Sequence, residues 1–70
     1  MPEMTYIFSF YDRNGEKMED EIEFTTKAQA LENYRLFVDP DNAEIYTKIV
    51  MVTYNYRTHE EKTVATIQYN

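Results

Sequence analysis

The chain has no cysteine and no tryptophan, and only one glycine, one histidine and two prolines in 70 residues. Without cysteine there are no disulfides, no thiolate metal sites and no thiol nucleophile, so stability has to come from packing or from association between chains. The single histidine, His59, excludes a multi-histidine metal site, and the single glycine, Gly15, excludes a glycine-rich loop that cradles phosphate. The one serine, Ser9, falls in a strand and His59 in the turn of the opposite hairpin, so no nucleophile and base are brought together. No apolar run approaches the roughly 18–20 residues of a membrane span, and the opening MPEMTYIF lacks the basic start and long apolar stretch of a signal peptide. A soluble, cytoplasmic protein is the expectation. Lysine and arginine are also few, seven against thirteen acids, and they are scattered. Phosphate binding rests on clustered bases, so direct contact with nucleic acid is not expected.

What is present is enough apolar and aromatic residues for one small domain, residues 1–70, with 43% of the chain apolar and 16% aromatic. At this length a hydrophobic core supplies only about 3–5 kcal/mol. The charge is unevenly placed. Residues 1–44 hold eleven acids and four bases, a net −7, whereas residues 45–70 hold two acids and three bases, a net +1. A basic partner protein suits such a surface.

Alternation marks the first strand from Met4 to Asp12, with Met4, Tyr6, Phe8 and Phe10 on one face and Thr5, Ile7, Ser9 and Tyr11 on the other. The second, Lys17 to Thr25, sets Met18, Asp20, Ile22 and Phe24 against Glu19, Glu21 and Glu23. A two-residue Asn14-Gly15 loop would put Phe10, Phe8 and Tyr6 opposite the three glutamates. A three-residue loop, with Asp12 opening a type I turn and Gly15 in the left-handed bulge position, avoids that conflict. It predicts the pairs Phe10 with Met18, Tyr6 with Ile22 and Met4 with Phe24, because a slip of one residue would turn the acids into the core. TTKAQALENYRLFVDP reads as a helix, capped by Thr26 with Gln29 three residues on and stopped by Asp39-Pro40. Its expected buried stripe is Ala30, Leu31, Tyr34, Phe37 and Val38, with Leu36 off it. The third strand is expected over Glu44–Arg57, with Val50, Val52, Tyr54 and Tyr56 facing the helix. Thr58–Glu61 would then turn into a last strand, Lys62–Tyr69, pairing Val50 with Tyr69, Val52 with Ile67, Tyr54 with Ala65 and Tyr56 with Thr63.

The outcome is an α+β fold of ββαββ order: a four-stranded sheet made of two hairpins, with one helix packed on one face. In this order of elements, and in its Asn14-Gly15 turn, the chain resembles the β-grasp folds, including the small immunoglobulin-binding domains of bacterial surface proteins. The resemblance implies fold and no function.

Five of the eight residues from Glu16 to Glu23 are acidic. Read as a calcium loop beginning at Asp12, the stretch offers Asn14, Glu16 and Glu23 as ligands, but Lys17 stands where the loop needs glycine and the flanks are strands. No metal and no cofactor is expected. Asp20 is the only candidate for acid-base chemistry, since its parity points it toward Phe8; a place at the sheet margin explains it more simply. Glu19, Glu21 and Glu23 would form a line of carboxylates repeating every ~6.6–6.8 Å, comparable with the spacing of successive nucleic-acid phosphates. The same row would also guard an edge strand against pairing with another chain. Asp39, Asp41 and Glu44 add a second acidic cluster. On the outer sheet face, Ile7, Tyr11, Ile49, Met51 and Val64 are expected to point away from the helix as an apolar contact surface.

Two non-enzymatic functions fit these features. One is an inhibitor or decoy of the kind that phage and mobile-element proteins provide, occupying the basic surface of a nucleic-acid-handling protein. The other is a structural or adaptor module, or a homodimer, built on the outer sheet face, with acidity serving solubility.

Overall fold

The computed structural model describes residues 3–69. Strands β1 (Met4–Asp12) and β2 (Lys17–Phe24) are followed by helix α1 (Lys27–Phe37), a short 3₁₀ helix (Pro40–Glu44), and strands β3 (Tyr46–Asn55) and β4 (Glu60–Gln68). The sheet order is β2-β1-β3-β4, with every neighbouring pair antiparallel. Because β2 and β3 both run against β1, they run parallel to each other, and α1 is the crossover that such a pair requires. The α+β, ββαββ expectation holds. The β-grasp likeness is one of element order; the middle of this sheet is an antiparallel β1–β3 pair.

The first turn forms as its residues dictate. The Gly15 amide donates to the Asp12 carbonyl (2.9 Å), and the Asp12 amide to the Glu16 carbonyl (2.9 Å). Asp12 Oδ1 accepts from the Asn14 and Glu16 amides at 2.9 and 3.0 Å. Gly15 has φ +80°, the left-handed conformation for which a residue without Cβ is suited. Tyr11 then pairs with Lys17 in the expected register, but Ser9 pairs with Glu21. Two residues of β1 therefore span four of β2, and Met18, Glu19 and Asp20 lie in a bulge opposite Phe10. The expected Phe10–Met18, Tyr6–Ile22 and Met4–Phe24 pairs are replaced by Tyr6 with Phe24 and Phe8 with Ile22. A slip of two leaves the faces unchanged, so alternation cannot detect it.

Thr26 caps α1, its hydroxyl accepting from the Gln29 amide at 3.2 Å. The helix ends at Val38, before Asp39-Pro40. Ala30 is buried, and Tyr34 and Phe37 pack against the core. Leu31 and Val38 are exposed, contrary to the expected stripe, and Leu36 lies off it as expected. Phe37 sits edge-on to Phe8 and Phe10, with ring centroids 5.0 and 5.5 Å apart.

The second hairpin differs from the sequence reading. Its turn is Tyr56–His59, two residues earlier than Thr58–Glu61. Asn55 nucleates it, its side-chain oxygen accepting from the Arg57 and Thr58 amides at 2.8 and 3.1 Å. The pairs are Ile49 with Ile67, Val50 with Thr66, Met51 with Ala65, and, beyond a bulge at Val64, Val52 with Thr63 and Tyr54 with Glu61. Pairing with β1 sets Phe10 opposite Ile49 and Phe8 opposite Met51. The faces of β3 are therefore the reverse of those expected: Ile49, with no exposed surface, and Met51 face the helix, whereas Val50, Val52 and Tyr54 face outward. Phe8, Phe10, Ala30, Ile49 and Ile67 make the buried centre of the core.

Candidate functional site

One helix covers one face of the sheet, and pairing partners show what the other face carries. Directly paired antiparallel residues project to the same side. Glu23, Ile7, Val52 and Thr63 consequently form one row across all four strands, and Glu21, Ser9, Val50 and Thr66 the next. A third row holds Thr5, Tyr54 and Glu61. This face therefore has an apolar centre in which Ile7, Val50 and Tyr54 are half-buried and Val52, like Ser9 and Thr5 beside it, is buried, with Glu21 and Glu23 along one flank and Glu61 on the other. Two surfaces that the sequence presents separately, acidic row and apolar sheet face, are one surface in the fold.

Of the expected apolar set, Ile7 and Tyr11 are on this face. Ile49 and Met51 are not, because β3 is reversed, and Val64 lies on the helix side, where it lines a groove with Met51 and Leu31. The acidic row is also shorter than expected. Glu19 falls in the unpaired bulge and is exposed, as is Asp20, which therefore does not project into the core beside Phe8. Glu21 is engaged: Ser9 Oγ donates to its carboxylate at 2.7 Å, and Lys17 Nζ lies 3.5 Å away. Only Glu23 of the three keeps both the strand position and an uncommitted carboxylate. Asp39 caps the 3₁₀ helix by accepting from the Asp41 amide at 2.9 Å, while Asp41 and Glu44 are exposed on that helix, away from the open face.

The Ser9 hydrogen bond is the main reason that the Glu21 carboxyl titrates below its ordinary value near 4.5; partial burial opposes this and the Lys17 charge assists it. A depressed folded-state pKa means that this contact stabilises the protein above pH ~4.5 and is lost as pH falls through the folded value. Ser9→Ala is expected to move the Glu21 titration upward, read from its carboxyl carbon by NMR. An unmoved midpoint would show that Lys17 sets the shift.

At one end of the face Lys48 Nζ sits 4.4 Å from the Tyr11 ring centroid, so the positive charge there is held over an aromatic ring. At the other, Tyr54 packs edge-on to Tyr56 at 5.0 Å, and its hydroxyl meets His59 Nδ1 at 3.1 Å. His59 has φ +61°, an uncommon conformation for a residue with a Cβ. Periodicity alone does not mark this aromatic corner; its signal in the sequence is Asn55, a residue type whose side chain folds back on the amides that follow it. Ser9 and His59 have separate partners, Glu21 and Tyr54. Among the described residues, no three histidine or carboxylate side chains gather as a metal site, and no helix is long and apolar enough to cross a membrane.

No family model, curated protein or solved structure matches the chain.

Proposed function

We propose that this is a non-enzymatic, cytoplasmic partner-binding protein whose contact surface is the open sheet face. One observation carries the reading: Glu23 is paired with Ile7, on the same face as half-buried Val50 and Tyr54, which puts acid and apolar centre side by side on the sheet face opposite the helix. Apolar contact supplies affinity, and the flanking carboxylates steer and orient a partner of opposite charge. The partner is accordingly a protein with basic residues around an apolar crest. In its most specific form the protein is an inhibitor or decoy, of phage or mobile-element type, that occupies the basic surface of a nucleic-acid-handling protein. The broken glutamate row favours this composite contact over mimicry of a phosphate strand.

The test uses the full chain as bait in capture from cell extract, followed by salt titration of the complex. Glu21→Gln with Glu23→Gln should weaken capture by up to about fivefold per charge and flatten its salt dependence. Ile7→Ser should weaken it at every salt concentration. Glu16→Gln with Glu32→Gln removes two exposed charges elsewhere and should have the smaller effect. Equal losses from the two double variants would assign binding to bulk charge, and an Ile7→Ser variant that binds normally would remove the sheet face from the contact.

A further inference from the structure

Two patches outside the open face lie toward opposite ends of α1, and each has what the other lacks. The first is a groove of about 380 Å³ on the helix side of the sheet, walled by Met4, Leu31, Met51 and Val64. It lies beside the first turns of α1, over Met51, Thr53 and Val64, whereas Ile49 and Ile67 of the same two strands, and Tyr69 just beyond them, are packed in or against the core. Lys27 lines it. Lys62 is paired directly with Thr53, another lining residue, and so projects to the same side. Neither lysine has a carboxylate within 4 Å among the described residues, whereas Lys17 and Arg57 are ion-paired and Lys48 lies over Tyr11. In a chain of net charge −6, two uncommitted cations thus border its apolar groove.

The second patch is the corner where α1 passes into the 3₁₀ helix. Leu36, 66% exposed, is followed by exposed Val38 and Ile45. Asn42 holds the corner together, its side-chain amide donating to the carbonyls of Leu36, Phe37 and Asp39 at 3.3, 3.4 and 3.0 Å. Asp41 and Glu44 stand among these apolar residues with no base within 4 Å among the described residues. Arg35 is the one base in the segment Arg35–Ile45, against three acids, and Arg13 reaches the corner from the first turn, its guanidinium donating to the Ala43 carbonyl at 2.7 Å, so the corner keeps a net charge of −1 (two bases, three acids). The corner is apolar and acidic; the groove is apolar and basic.

We infer that the groove of one molecule receives the Leu36–Ile45 corner of a second copy. Leu36, Val38 and Ile45 would supply the apolar contact and Asp41 and Glu44 would meet Lys27 and Lys62. Removing exposed aliphatic surface from water drives the contact, and the charges fix its orientation. The two surfaces differ, so the association is head to tail, which closes into a ring or extends as a chain according to the rotation between copies. The open sheet face takes no part and stays available to another partner.

Two double variants of the full chain test this by sedimentation velocity over a concentration series. The parent should sediment above monomer mass as concentration rises. The groove variant, Lys27→Glu with Lys62→Glu, and the corner variant, Asp41→Lys with Glu44→Lys, should each weaken self-association by about tenfold or more, with thermal melts that report an intact fold. Mixed together, the two variants should associate again, because each supplies a surface complementary to the other; all four changes in one chain should do the same. Groove-to-groove contact would leave the corner variant associating like the parent, corner-to-corner contact would do the same for the groove variant, and neither would survive all four changes in one chain, so any of these results, like a failed rescue, overturns the proposal. A parent that remains monomeric at all concentrations, or single variants that associate like the parent, overturns it as well.

Discussion

Phe37→Ala is expected to unfold the protein. Phe37 meets two core rings, Phe8 and Phe10, edge-on at 5.0 and 5.5 Å, and its carbonyl accepts from the Tyr69 hydroxyl. Truncating a phenylalanine packed in a core costs roughly 3–5 kcal/mol through lost burial and the cavity left behind. That equals the whole of what a core this size supplies, about 3–5 kcal/mol. Ala30 and Tyr34 cannot close the space, since Ala30 is small and Tyr34 occupies its own place against the core. Far-ultraviolet circular dichroism should show no cooperative melt. Leu36→Ala, at an exposed position one residue away, should melt close to the parent. A cooperative Phe37→Ala transition near the parent's would mean that the helix docks through other residues.

The second large effect distinguishes the two faces of β3. Ile49→Lys should abolish folding, whereas Val50→Lys should be tolerated. Ile49 has no exposed surface and lies between Phe10 on β1 and Ile67 on β4. Lysine there loses roughly the 2–5 kcal/mol of a large core aliphatic and in addition strips water from an ammonium group with no buried partner. Val50 faces outward in a row with Glu21 and Thr66. Lysine there should change stability by about 1 kcal/mol or less. Urea unfolding of both variants gives the answer, and the opposite ranking would restore the face assignment read from the sequence.

That assignment shows where sequence reasoning reaches its limit. Local chemistry set the parts that were legible: Asp12 and Gly15 define the first turn, Thr26 and Gln29 open the helix, and Asp39-Pro40 closes it. Each of these is a contact between residues at most four apart. On β3 both alternating sets are apolar, Ile49 and Met51 against Val50, Val52 and Tyr54, so periodicity carries no preference. Lys48 was the discriminating residue, since the set containing it would take a charge inward. The candidate site was half legible for a related reason. Its acids and its apolar residues could be picked out, but their union on one face depends on β1 lying between β2 and β3, and strand order is not a local property. Likewise the expected register sets Ser9 opposite Glu19, whereas the two-residue shift gives Ser9 to Glu21, which removes one carboxylate from the uncommitted row.

The bulge at Met18–Asp20 has a bearing on how this chain can change length. Strand β2 already spends four residues where its neighbour spends two, at the sheet margin, with Glu19 and Asp20 exposed. Insertion or deletion of a residue pair there alters the size of the outpocketing but leaves Ile22 and Phe24 inward and Glu21 and Glu23 outward. Gain or loss of a single residue keeps those faces only where the bulge itself absorbs it, as the one-residue bulge at Val64 does on β4. An even-numbered indel in the acidic stretch is thus a change that the core does not register.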